Sequence, residues 1–235
     1  MNIAGMTRIS SYDIDKKKCA DEMKYCIAEL AKHCNTIHFM IIGDVDDNFL
    51  NWLDVNKIIT KTQKTYGGEG WYFDWTQSMT DLLDTIDGPY DWILMPDTDD
   101  ALQPNILEEV EKANADGADM LDCPVLECFG GLDKVICKFD DGYPIGPHVK
   151  AFKYAKDLTF IGSSGFSKLV SKTGKELKMY NSLYPCRHVR YSRPELVHNR
   201  KSISYWQEYF EKPHPTVTYD PTWTFRDYIK HGKNL

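Results

Sequence analysis

No stretch of this chain is apolar over the roughly 20 residues that a bilayer span requires. Its apolar runs are short: Ile37 to Ile42 is interrupted by His38, and Met1 to Ile9 lacks the apolar core of a secretory signal. The expectation is a cytoplasmic protein, in a bacterial or virus-infected host cytosol. None of the seven cysteines forms a C-x-x-C pair or a zinc-like spacing, so they read as reduced thiols. Cys19, Cys26 and Cys34 recur at roughly helical spacing, as small core residues do. Internal repeats and low-complexity tracts are missing too. After the first strand there is no Gly-rich basic loop to cradle a triphosphate; Ala4-Gly5-Met6-Thr7-Arg8 is a poor candidate.

What is present suits one globular unit. The 235 residues are 42% hydrophobic and 13% aromatic, enough to bury a substantial core. The net charge of -7 is unevenly spread. Residues 1 to 148 hold 12 Lys and Arg against 28 Asp and Glu, or -16, whereas 149 to 235 hold 16 against 7, or +9. An acidic half suits a cation; a basic half suits phosphate, a polyanionic acceptor or simply the other half.

The hydrophobic pattern alternates between strand and helix. Ile3 to Ile9 reads as a strand, Asp15 to His33 as a helix, and Thr36 to Ile42 as a buried parallel strand ending at Gly43-Asp44. Val55 to Thr60 reads as a further strand, followed by the loop Tyr66-Gly67-Gly68-Glu69-Gly70. Asp74 to Ile86 is a helix stopped by Asp87-Gly88-Pro89, and Tyr90 to Met95 is a buried strand. Pro104 opens another helix, with Leu107, Val110 and Ala113 inward and Gly117 as its stop. Short segments follow: Met120 to Cys128, Lys134 to Phe139 and Thr159 to Ile161. A last helix is expected over Pro194 to Phe210, before a tail that wraps the body. This order predicts a doubly wound α/β sheet that binds ligands at the C-terminal ends of its strands. The expected organisation is a ligand-binding half (1–120), a second half of the same domain (121–212) and a tail (213–235).

The candidate site is Asp91-Trp92-Ile93-Leu94-Met95-Pro96-Asp97-Thr98-Asp99-Asp100, carboxylates at the exit of a buried strand. Chance alone gives roughly two D-x-D triplets at this Asp content, so the position and not the triplet carries the signal. Carboxylates there can hold Mg²⁺ or Mn²⁺ while leaving coordination positions open for two phosphates. His188 is a candidate third ligand beside Asp97 and Asp99. Arg187, Arg190, Arg193, Arg200 and Lys201 form a basic cluster able to clamp a diphosphate or meet an anionic acceptor, with Tyr191, Tyr205 and Trp206 interleaved for stacking.

Trp71-Tyr72-Phe73-Asp74-Trp75 followed by Asp91-Trp92-Ile93-Leu94-Met95-Pro96-Asp97-Thr98-Asp99 resembles the family 2 glycosyltransferases, whose members read W-x-x-D-F and then D-W-I-L-x-L-D-A-D-E. Ile41-Ile42-Gly43-Asp44 is similar to that family's second-strand acid, and His188 with Arg200 and Lys201 to its late histidine and basic helix. The resemblance covers residues 1 to 112 well and 184 to 206 loosely. It implies a GT-A fold, Rossmann-like with a mostly parallel sheet and a C-terminal acceptor-side extension. It also implies a nucleotide-sugar donor, a UDP-sugar foremost, bound through Asp44, Asp74 and Asp97 with Arg190 and Arg200. The cofactor would be Mn²⁺ or Mg²⁺ on Asp97, Asp99 and His188. The chain departs from the family in two places: Thr76-Gln77-Ser78 stands where an arginine is usual, and Gly162-Ser163-Ser164-Gly165-Phe166 where an acid is usual. The general base is therefore open among Asp140, Asp141, Asp122 and Glu127, and a retaining reaction would need none. The acceptor hydroxyl is on a glycan or on a hydroxymethylated base in viral DNA, reached through basic residues 187 to 201. Alternatives are a nucleotidyltransferase on the same metal site or a non-catalytic sugar-binding relative.

Overall fold

A computed structural model describes residues 1–11, 14, 19–55, 75–137, 148–162, 167–189, 192–193 and 214–233. Within these residues the chain runs β1 (Ile3–Ser10), α1 (Ala20–Ala31), β2 (Ile37–Ile42), α2 (Asp47–Val55), α3 (Trp75–Thr85), β3 (Trp92–Leu94), β4 (Asp100–Ala101), α4 (Ile106–Ala115) and β5 (Met120–Cys123). It continues with β6 (Val125–Glu127), β7 (Lys134–Ile136), β8 (His148–Lys153), β9 (Leu158–Ile161), β10 (Lys168–Ser171), β11 (Met179–Asn181), β12 (Cys186–His188), β13 (Thr216–Thr218) and α5 (Phe225–Gly232).

The central sheet has the order β11-β5-β8-β3-β1-β2. β1 is parallel to both β2 and β3, and β11 is parallel to β5, while β8 alone runs antiparallel to its neighbours β3 and β5. The architecture is thus mixed α/β with a mostly parallel sheet, and β1, β2, β3 and β5 all end on the same edge. Every residue of β2 is buried, the continuous apolar run expected of a strand covered on both faces.

Helices supply both covers. On one face Met23, Ile27 and Leu30 of α1, Phe49 and Leu53 of α2, and Ile106, Val110 and Ala113 of α4 pack on Ile9, Phe39, Ile41, Trp92 and Leu94. On the other, Met79, Leu82 and Leu83 of α3 and the β9–β10 hairpin cover Ala4, Met6, Met40, Ile93 and Phe152. Each such aliphatic side chain contributes about 1.5–3 kcal/mol on full burial. A third cluster, Cys26, Ala101, Leu126, Cys128, Val135, Val189 and Tyr228, ties the small sheet β4-β12-β6 to the C-terminal segment.

One expectation needs correction. Val55 does not begin a strand; it closes α2, whose apolar Phe49 and Leu53 recur at helical spacing, while residues 56–60 lie outside the described residues. The tail contains β13, paired with β7, and α5. Thr224 caps α5 in a reciprocal box with Asp227, a T-x-x-D signature present in the sequence. The Tyr66–Gly70 loop and the Pro194–Phe210 helix lie outside the described residues. All seven cysteines are free, as their spacing implied.

Candidate metal and donor site

The exit of β3 is fastened before it turns. Met95 donates its N–H to the Lys150 carbonyl at 2.7 Å, and the buried Thr7 hydroxyl donates to the Pro96 carbonyl at 2.8 Å. The acid turn then closes on itself: Asp100 N–H reaches the Asp97 carbonyl at 3.0 Å, and Asp97 N–H reaches Asp100 Oδ2 at 3.2 Å. β4 follows at once and pairs antiparallel with β12, which sets His188 opposite Asp100. β12 in turn runs parallel to β6, which sets His188 opposite Glu127. Sheet pairing therefore assembles acids and a histidine that lie far apart in sequence.

His188 stands between two carboxylates. Its Nδ1 is 2.6 Å from Glu127 Oε2 and its Nε2 is 3.1 Å from Asp99 Oδ2. Burial pulls the imidazole down, but Glu127 and Asp99 outweigh it and hold the ring well above its usual value. Ligand atoms of Asp99, Asp100 and His188 all lie within 4.8 Å of one another. This donor set fits a divalent cation. Glu127 fixes one ring nitrogen and turns the other toward Asp99, the arrangement by which a second carboxylate orients a metal-binding histidine. Mixed carboxylate and imidazole ligands suit Mn²⁺. Asp97 falls outside this trio among the described residues; its Oδ1 is 3.9 Å from Nε of Arg8 on β1.

Three further groups crowd the site. Lys150 is 2% exposed and its ammonium rests on Asp100 Oδ2. Burial disfavours that ammonium, yet Asp100, Cys186 and Asp97 raise its pKa overall. Asp122, near the end of β5, is also buried, and its Oδ1 has no hydrogen-bond partner. Desolvation pushes its carboxyl up to about 6, against the pull of Lys150. His148 opens β8, and partial desolvation and Lys150 push its imidazole down while Asp100 and Asp97 pull it up. Sequence reading missed Arg8, His148 and Lys150, because each reaches the site across the sheet and none sits in a motif.

The remaining candidates divide in two. Asp44 is exposed just beyond β2, after Gly43, whose φ of 74° suits a glycine and turns the chain at the sheet's edge. Asp74, Asp140, Asp141, Arg190 and Arg200 lie outside the described residues. Among the described residues, part of the basic half meets the acidic half. Lys150 pairs with Asp100, Lys172 with Asp84, Lys175 with Asp119, Lys178 with Asp116, and Arg193 with Asp21 and Glu22. Arg187 is held inside, with its guanidinium 4.5 Å from the Tyr219 ring centre and 5.6 Å from that of Tyr25. No helix among the described residues is long and apolar enough to cross a membrane.

No protein-family model matches the chain, and no curated protein matches it in sequence. Among solved structures it is similar to S. aureus TarS in complex with UDP-GlcNAc, at 14% identity and a TM-score of 0.38, over 62% of this chain and 37% of that one. It is also similar to 4-diphosphocytidyl-2C-methyl-D-erythritol synthase from Anaerococcus prevotii, at 12% identity and a TM-score of 0.47, over 90% and 96%. A third likeness is to the bifunctional IspDF of Campylobacter jejuni, at 14% identity and a TM-score of 0.37, over 65% and 41%. The chain thus spans well under half of the TarS chain it matches. At such scores the functional reading rests on the chain's own residues.

Proposed function

We propose that the chain is a metal-dependent glycosyltransferase that moves a hexose or pentose from a nucleoside-diphosphate sugar to a hydroxyl group. One observation carries this reading: β12 brings His188 onto the Asp97–Asp99 turn with its far nitrogen held by Glu127. When bound, Mn²⁺ or Mg²⁺ would neutralise charge that builds on the departing diphosphate. The protein's own groups do the rest. Asp99 and His188 would hold the ion, and Arg8, beside Asp97, would stand in for the arginine missing at Thr76-Gln77-Ser78. Asp44, exposed beyond β2, would meet the nucleoside.

In an inverting reaction the acceptor oxygen forms its bond to the anomeric carbon as the bond to the diphosphate breaks. The electron pair leaves on the phosphate oxygen, and the acceptor's proton needs a base. Of the two described candidates, Glu127 is engaged by His188, which favours Asp122: it lies near the end of β5, on the ligand-binding edge, and its pKa of about 6 suits proton uptake near neutrality. The acceptor is a glycan, or a polyanion such as hydroxymethylated viral DNA reached through Arg190, Arg200 and Lys201, since Arg187 is buried and Arg193 is paired with Asp21 and Glu22. Against nucleotidyl transfer, Ala4 to Arg8 lies within β1, paired with β3 at Ala4 and Gly5 and with β2 from Gly5 to Arg8, and forms no phosphate loop.

The test supplies UDP-sugars with Mn²⁺ and measures nucleoside diphosphate release, with and without glycan or hydroxymethylated DNA. Release supports the proposal. Pyrophosphate formed from a nucleoside triphosphate would favour the nucleotidyltransferase, and no turnover with any donor would favour a sugar-binding relative.

A further inference from the structure

A cation of the protein's own is built into the acid cluster. Between β5 and β8 the register shifts, with Leu121 opposite Ala151 but Asp122 opposite Val149, so Lys150 is left without a partner on β5. Such a bulge re-aims the extra side chain. Here the side chain is almost wholly enclosed and ends on Asp100 Oδ2, the same oxygen that accepts the Asp97 N–H. Asp100 itself is 3% exposed. Either charge buried alone would be costly, whereas the pair offset one another.

We propose that Lys150 is a positioning residue: its ammonium is the permanent counter-charge of Asp100, committing that carboxylate to shape the Asp97–Asp99 turn and leaving Asp99 and His188 as the metal's protein ligands. The proposal deepens the glycosyltransferase reading and rests on it. With one acid of the trio already neutralised, two protein ligands fall short of an octahedral shell, and phosphate oxygens complete it.

The test compares Lys150→Met, Asp100→Asn, the double variant and Asp99→Asn, reading Tm in chelator and Mn²⁺ affinity with UDP present. Because Lys150→Met strands a buried carboxylate and folds poorly, the double variant is the informative one; its Asn still accepts the Asp97 N–H. The expected result is that each single variant at 150 or 100 loses Tm and the double recovers most of the loss. The double should also bind Mn²⁺ with UDP about tenfold or more tighter than Asp99→Asn does. Losses of Tm that simply add, or a double variant as weak as Asp99→Asn, overturn the proposal. Wild-type protein that binds no UDP with Mn²⁺ would instead overturn the glycosyltransferase reading, and the Tm comparison would then decide the pairing by itself.

Discussion

Glu127 Oε2 lies 2.6 Å from Nδ1 of His188, leaving the opposite nitrogen to face Asp99. A carboxylate in that place fixes both the tautomer and the tilt of the ring. Glu127→Ala should therefore weaken Mn²⁺ binding in the presence of UDP by about 10–100-fold while the fold persists. Calorimetric titration checks this; an unchanged affinity would remove Glu127 from the site.

Asp99→Asn should abolish transfer. The side chain is 22% exposed and Asn keeps its shape, so the fold should persist. Thermal unfolding and turnover at saturating Mn²⁺ together separate a lost ligand from a lost fold. Wild-type turnover in this variant would end the assignment of the site.

Arg8→Ala should reduce donor affinity by about 10- to 100-fold, since a hydrogen bond to a charged group is worth about 1.5–3 kcal/mol. Acceptor affinity and its dependence on salt should stay as in the wild type, because polyanion contacts are proposed for Arg190, Arg200 and Lys201. The decisive comparison is between the two ligands in one variant. Loss of acceptor binding with donor binding intact would reverse the roles.

Asp122 gives a pH dependence. Folded, its carboxyl keeps a proton up to about pH 6; unfolded, it releases it near 3.8. Between these values the folded state binds more protons, so the group's contribution to stability falls as pH rises. The Tm of the wild type relative to Asp122→Asn should therefore decline from pH 4 to pH 7 at constant ionic strength. If Asp122 is the base, kcat/KM of the wild type rises through about pH 6 and Asp122→Asn loses that limb. A Tm difference that is flat with pH would mean that the carboxyl is not raised.

Much of the fold is legible in the sequence because buried strands and amphipathic helices write their periods directly. Ile37 to Ile42 reads as a core strand and is one, and Met79, Leu82 and Leu83 mark the inner face of α3. α2 is obscured because the β-branched run from Val55 onward draws attention away from Phe49 and Leu53. At the site, Asp99 and His188 stand out by chemistry. Glu127 reads only as one acid among several, since nothing local shows that β6 lies beside β12. Lys150 is hidden more deeply: its role depends on a register shift between two strands, and no one-dimensional pattern encodes a bulge.

The ion pairs between the halves also have a consequence in time. In the pairs Lys172–Asp84, Lys175–Asp119 and Arg193–Glu22 the acid precedes its base by 88, 56 and 171 positions. During synthesis the first half leaves the ribosome with its excess of carboxylates unanswered, and mutual repulsion keeps such a segment expanded and soluble.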